Sequence, residues 1–175
     1  MRLLIALVLA LPVLSGCARS TRHLPAVKGF SVHKYAGKWY EIARFPHSFE
    51  ENLQDVTAEY TVLEDGGIRV VNRGYDIEEG EWTSVTGYAE PAGDPTVGKL
   101  DVTFFWPFYG TYKILALDRE DYSYALVTGD TYEYLWILAR EPELPEKVLE
   151  GLYGQASAYG FDVRRLEFVE HWRQR

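Results

Sequence analysis

The sequence predicts an all-β fold: an eight-stranded up-and-down antiparallel barrel with one C-terminal α-helix packed outside. Three observations predict it. Short runs rich in Val, Ile, Tyr, Phe and Trp alternate with turns built from Gly, Asp and Pro. Eight such runs follow one another, the number that closes a small barrel. A single stretch near the C-terminus carries apolar residues at helical spacing. Composition agrees, since 13 Tyr, eight Phe and five Trp in 175 residues exclude a disordered chain, and one cysteine excludes an intramolecular disulfide scaffold. A net charge of −8 argues against nucleic acid as a partner, because phosphate neutralisation needs a basic surface.

In chain order, residues 1–16 read as a secretory signal. Arg2 follows Met1, an apolar run extends from Leu3 to Leu14, and Ser15-Gly16 supplies small residues at a cut site. That run is too short to span a bilayer comfortably. Cys17 would be the first residue after the cut, residues 17–31 read as a tether, and residues 32–175 form the domain. Strands are expected over Trp39–Phe45, Asp55–Leu63, Ile68–Tyr75, Trp82–Ala89, Lys99–Phe105, Thr111–Leu117, Tyr124–Thr128 and Tyr134–Arg140. Glu64-Asp65-Gly66-Gly67 is a tight hairpin signal, and Gly80, Gly93, Gly110 and Gly129-Asp130 punctuate the other connections. Pro145 suits a first helical turn, Val148, Leu149, Leu152, Tyr153, Ala156 and Tyr159 make one apolar stripe, and Gly160 fits the stop. The run Val163–Val169 reads as an added edge strand.

Gly37-Lys38-Trp39-Tyr40 at the start of the first strand resembles the first lipocalin motif. Asp118 with Tyr122 is similar to the second, although Leu117 and Arg119 replace its usual neighbours, and Arg140 at the end of the eighth strand resembles the third. Three motifs in order, with the right strand count between them, are a specific signal. Leu14-Ser15-Gly16-Cys17 resembles the bacterial lipobox, which implies that Cys17 is acylated. Ala18 rather than Asp after the cysteine implies, by the same resemblance, the outer membrane. Together with Tyr40-Glu41-Ile42-Ala43-Arg44-Phe45, these features are similar to the bacterial outer-membrane lipocalins related to apolipoprotein D. One acyl chain binds a membrane only marginally, so the several chains the lipobox implies would be needed for stable anchoring. Chain reversal in a meander also puts Trp39, Asp118 and Arg140 at one end. The resemblance implies that Arg140 packs across Trp39, a structural cation–π contact of roughly 1–2 kcal/mol when shielded from water.

Period-two alternation selects the inward side chains. Taking Trp39 as inward selects Glu41, Ala43 and Phe45 on the first strand, then Val56, Ala58 and Tyr60 on the second. Val70 and Asn72 follow on the third strand, and Val85, Gly87 and Ala89 on the fourth, which turns Trp82 and Tyr88 outward. Leu100, Val102 and Phe104 come next, then Tyr112 and Ile114, Ala125 and Val127, and Tyr134 and Trp136. Glu41 and Asn72 are the polar exceptions in an interior where small residues leave room. The expected ligand is long and apolar with any charged head group at the mouth, and the lipocalin resemblance implies a fatty acid or lysophospholipid. Burying sixteen acyl carbons offers roughly 12 kcal/mol before entropic costs. Ligand-binding residues are therefore expected among these positions, with Tyr109 added from the mouth.

The mouth carries Trp106-Pro107-Phe108-Tyr109-Gly110, too apolar for a solvated turn. Rings there suit a ligand portal, a lipid-interface contact or a homodimer patch, or pack on one another as a plug. Arg73 and Lys113, outward by parity and near the mouth, could meet an anionic head group. No metal or cofactor is expected, since His23, His33, His47 and His171 lack ligand spacing and no GxSxG, P-loop or dinucleotide pattern occurs. Glu50-Glu51 and Glu78-Glu79 read as solvated loop acids. The leading expectation is a binding protein, not an enzyme. The alternatives are a lipid-modifying enzyme of the same fold using Glu41, and a structural outer-membrane lipoprotein with a plugged barrel.

Overall fold

The structure is a computed structural model and describes residues 18–172; the signal segment and Cys17 lie outside the described residues. Eight antiparallel strands form the barrel: β1 (Gly37–Arg44), β2 (Leu53–Val62), β3 (Ile68–Asp76), β4 (Glu81–Pro91), β5 (Lys99–Phe105), β6 (Phe108–Leu117), β7 (Tyr124–Thr128) and β8 (Leu135–Ala139). Each pairs with the next, and β1 pairs with both β2 and β8, which closes the sheet into a barrel. Short connections at alternating ends follow from this topology. The β1–β2, β3–β4, β5–β6 and β7–β8 links meet at the mouth, opposite Trp39.

A four-residue helix, α1 (Val32–Tyr35), precedes β1 and crosses the closed end, where Tyr35 is buried. The C-terminal helix α2 (Glu146–Ala158) buries Leu152 and Ala156 in a second apolar cluster outside the barrel, with Ile42, Leu126 and Ile137. Full burial of Leu152 contributes about 2 kcal/mol. Gly160, at φ +91°, ends this helix in the left-handed conformation that costs glycine no steric clash. The expected edge strand over Val163–Val169 is reduced to a 3-10 turn, Val163–Arg165, and a two-residue strand β9 (Glu167–Phe168) paired with the edge of β1 that β2 leaves beyond Tyr40. The Asp162 side chain accepts from the Arg164 N–H and holds the turn.

One departure from simple alternation matters most for the interior. A β-bulge in β1 shifts register between Glu41, opposite Leu138, and Ala43, opposite Ile137. The extra residue reverses parity beyond it. Ala43 and Phe45, expected inward, therefore belong to the outer cluster, and Phe45 packs edge-on against Phe161. Arg44, expected outward, falls opposite Trp136 and is buried inside.

The tether reading also changes. Residues 18–31 are fixed to the barrel at several points by backbone bonds. Thr21 N–H donates to the Asp130 carbonyl, Val27 N–H to Ile114 and Phe30 N–H to Thr96. Leu24, Val27 and Phe30 are buried. Lys113, expected free near the mouth, is buried beneath this segment and its Nζ donates to the Thr21 and Leu24 carbonyls at 2.8 and 3.2 Å.

Candidate functional site: the barrel interior and its mouth

The closed end is built around Trp39 and Arg140. The guanidinium lies 4.0 Å from the indole ring centroid and donates to the Lys34, Ala36 and Lys38 carbonyls at 2.8–2.9 Å, and to Tyr35 at 3.1 Å. Gly37 sits at φ +98°, where a Cβ would come within 3.3 Å of that guanidinium. Trp39 Nε1 donates to the Tyr35 carbonyl at 2.8 Å. Asp118 accepts from the Ser123 N–H and hydroxyl and fixes the β6–β7 turn. These contacts saturate backbone groups that a barrel end would otherwise expose.

Above this base three phenols form the floor. Tyr35 and Tyr112 share a 2.6 Å hydroxyl contact, and the Tyr60 hydroxyl donates to Tyr112 at 3.0 Å. Burial pushes all three well above the usual phenol range, so they stay neutral and can both donate and accept. Tyr35 was not among the sequence-selected positions, because α1 gives it no strand parity. The room expected at Gly87 is also taken, since a Cβ there would lie 2.7 Å from the Phe104 ring.

The inner wall then divides by character. On one side Val56, Val70, Val85, Val102, Ile114 and Val127 supply aliphatic surface together with Phe104 and Ala58. Val85 lies opposite Asn72, so β4 keeps the expected parity with Trp82 outward, stacked under Arg73. Asn72 Oδ1 is buried and has no hydrogen-bond partner among the described residues. On the other side, β1 and the β1–β2 link carry charge. Arg44 donates to Glu41 Oε1 at 2.8 Å and clamps the link through the Glu50 and Leu53 carbonyls at 2.8 and 2.9 Å. Glu50, expected as a solvated loop acid, is buried, accepting from Trp136 Nε1 at 3.3 Å and lying 3.1 Å from His47 Nε2.

Burial first, and then the Glu50 carboxylate, raise Glu41 to about 8 against the opposing pull of Arg44. Burial also raises Glu50, while burial and Arg44 lower His47 to about 4. At neutral pH Glu41 therefore keeps its proton, and Arg44 does not face two full carboxylate charges. Arg44 is thus committed to protein acceptors. Alternation marks Glu41 and Trp136 as inward but not Arg44, whose inward turn depends on the bulge. Among the described residues, no three or more His, Cys, Asp or Glu gather as a metal site.

At the mouth Tyr134 and Trp136 stack at 5.8 Å with an 8° interplanar angle, and the His47–Phe49 pair at 3.9 Å lies beside them. Tyr109 does not join the lining. Gly110 pairs with the inward Val102, so Tyr109 takes the outward parity and lines a surface cleft with Asp101 and Thr111. The wall is open on one side, since β4 pairs with β5 only over Tyr88–Pro91, leaving Glu81–Gly87 bonded to β3. Val85 is exposed there.

Comparison with known proteins fits this geometry. The family described as a lipocalin-like domain matches residues 30–171. The chain is 46% identical over 166 residues to the outer membrane lipoprotein Blc of Vibrio cholerae, covering 95% of this chain and 97% of the relative. It is 43% identical over 169 residues to Blc of Escherichia coli K12, covering 95% of each. Apolipoprotein D of Bos taurus is 33% identical over 156 residues, with 85% of this chain and 80% of that protein covered. Insecticyanin from the tobacco hornworm Manduca sexta shares the fold with a TM-score of 0.72 at 21% identity, over 86% of both chains. With three motif positions gathered at the closed end of an eight-stranded barrel and relatives aligned over nearly its full length, the chain belongs to the lipocalin family.

Proposed function

We propose that the chain is a membrane-anchored lipocalin that stores or transports a fatty acid or lysophospholipid by binding rather than by catalysis. The acyl chain lies on the aliphatic side of the upper barrel and the polar head stays at the mouth. One observation carries the reading: Asn72 Oδ1, a buried acceptor without a partner, sits on the inner wall opposite Val85 and Ala58. A buried carbonyl left unpaired costs about 1–3 kcal/mol, which a ligand hydroxyl would recover. Because Arg44 already serves Glu41, Glu50 and Leu53, the interior offers no free cation to a carboxylate among the described residues. This favours a lysophospholipid, whose glycerol hydroxyl can donate, over a free fatty acid.

Anchoring through acyl chains on Cys17, in the periplasmic leaflet of the outer membrane, is supported by the lipobox resemblance and by relatives named as outer membrane lipoproteins. A fluorescent fatty acid titrated into the protein, then displaced by lysophospholipid, tests the binding reading. Saturable binding below about 100 μM, roughly −5.5 kcal/mol, is expected, with displacement at lower lysophospholipid concentration. Its absence favours the plugged structural barrel that the ring-filled floor would suit. The enzymatic alternative has one observation behind it, the proton that Glu41 keeps to about pH 8. Glu41→Gln abolishes turnover of a lipid substrate in that case and leaves binding intact in the proposed one.

A further inference from the structure

The path of the N-terminal segment determines which end of the barrel an anchored molecule presents to lipid. Phe30 is bonded near the closed end, to Thr96 in the β4–β5 link. From there the chain, followed backwards, climbs the barrel to the mouth. Val27 exchanges bonds with Ile114 and Gly98, Lys113 holds the Leu24 and Thr21 carbonyls, and Ser20 bridges to Thr131 in the β7–β8 link. The Arg19 carbonyl accepts from Tyr132 N–H in that same link, and the Arg19 guanidinium lies 4.1 Å from the Tyr132 ring centroid. The described chain therefore begins at the mouth. Cys17 is three residues before Ser20, a reach of at most about 10 Å. The interfacial layer of one leaflet is itself roughly 5–8 Å deep.

The β5–β6 hairpin reaches the same end. Its tip exposes Trp106 by 81%, Phe108 by 78% and Phe105 by 76%, with no charged residue between Phe105 and Gly110. Ser20 and Arg22 line one surface cleft together with Tyr109 and Gly110, so the anchor's root and the aromatic tip are neighbours. Phe49 and Ile77 add exposed apolar surface from two further mouth links. Exposed Trp and Phe partition into the headgroup boundary.

We propose that the barrel sits mouth-down on the leaflet holding its acylated Cys17, with Phe105, Trp106 and Phe108 in the interfacial layer. The open wall beside β4 then faces lipid, and ligand passes between bilayer and barrel without crossing water. This orientation rests on the acylation reading of Cys17, and the test separates the two. The full-length acylated protein, carrying an environment-sensitive fluorophore at Phe108→Cys or at Glu64→Cys in the closed-end hairpin, is reconstituted in phosphatidylethanolamine–phosphatidylglycerol vesicles. Acyl-chain spin-labelled lipid is expected to quench the probe at 108 several-fold more than the probe at 64, with a blue-shifted emission at 108. Protein that floats with vesicles but shows equal quenching, or stronger quenching at 64, overturns the orientation and leaves anchoring intact. Protein that fails to float overturns both. Probe self-quenching at 108 that is independent of vesicles overturns it in favour of a second copy covering the tip.

Discussion

The two ends of the barrel solve opposite problems with the same residue types. At the closed end an arginine and a tryptophan meet each other, and every hydrogen bond these two make runs to a backbone carbonyl. Arg140 serves four carbonyls on the segment that enters β1 while its face lies on Trp39. At the mouth the arginine, Arg44, bonds to a carboxylate and to a loop, and Trp106 points away from the protein. One end is sealed by saturated carbonyls, and the other is left open by the short β4–β5 pairing and ringed by exposed aromatics. Stability belongs to the first end and ligand traffic to the second.

The sharpest way to break this contrast is at Arg140. Arg140→Ala strands several carbonyls and removes the cation–π contact, with an expected loss of about 3–4 kcal/mol. Urea unfolding should show a lower midpoint with an unchanged slope. Trp106→Ser at the other end, by comparison, should move the midpoint by less than about 0.5 kcal/mol, as surface substitutions do. Equal losses at the two ends would erase the division of labour.

Acid–base behaviour sharpens the comparison next. Glu41 holds its proton to about pH 8 in the folded chain against an ordinary value of 4.5, so the folded state binds the extra proton between those limits. Stability therefore falls as pH rises through that window. His47 acts in the opposite sense: lowered to about 4 from 6.5, it is neutral when folded and protonated when unfolded, so its contribution rises with pH up to 6.5. The two offset below pH 6.5; between 6.5 and 8 the Glu41 effect is no longer opposed by His47, and roughly 2 kcal/mol should be lost. Unfolding midpoints measured across that interval check the slope. Glu41→Gln should flatten it, and a slope that persists in the variant assigns it to another group.

How legible these two regions are in the sequence follows from their physics. The closed end is written in order: Gly37-Lys38-Trp39, Asp118 and Arg140 lie at strand ends whose spacing a meander alone brings together. Strand count, helix and sheet closure follow from alternation and turn residues, which are local. The mouth is not local. Alternation assigns Ala43 and Phe45 to the interior, and one bulged residue at Ile42 sends them out and brings Arg44 in. Glu50 reads as a solvated acid until Arg44 and Trp136 are known to face it. The segment after Cys17 reads as a tether for the same reason, because its partners Ile114 and Asp130 are about ninety residues away or more. Parity placed Val70, Val102 and Trp136 on the inner face, where bulges do not intervene.

The smallest expected effect bears most directly on function. Asn72 Oδ1 adds no hydrogen bond to the fold, being buried without a partner among the described residues on a largely aliphatic wall. A residue selected for stability alone would be apolar there. Asn72→Leu should therefore raise the unfolding free energy by about 1 kcal/mol, the cost of an unmet buried carbonyl. The same change should weaken lysophospholipid by about tenfold, since one hydrogen bond in a shielded site is worth about 1.4 kcal/mol. A fatty acid, whose carboxylate cannot donate, should be unaffected or bind slightly better. Parallel urea and displacement titrations separate the possibilities. A more stable variant with unchanged lysophospholipid affinity would make Asn72 an accident of packing and move the polar contact to the mouth, where Tyr134 and Trp136 stack. Stability gained and selective affinity lost together would mark it as a group whose partner is the ligand.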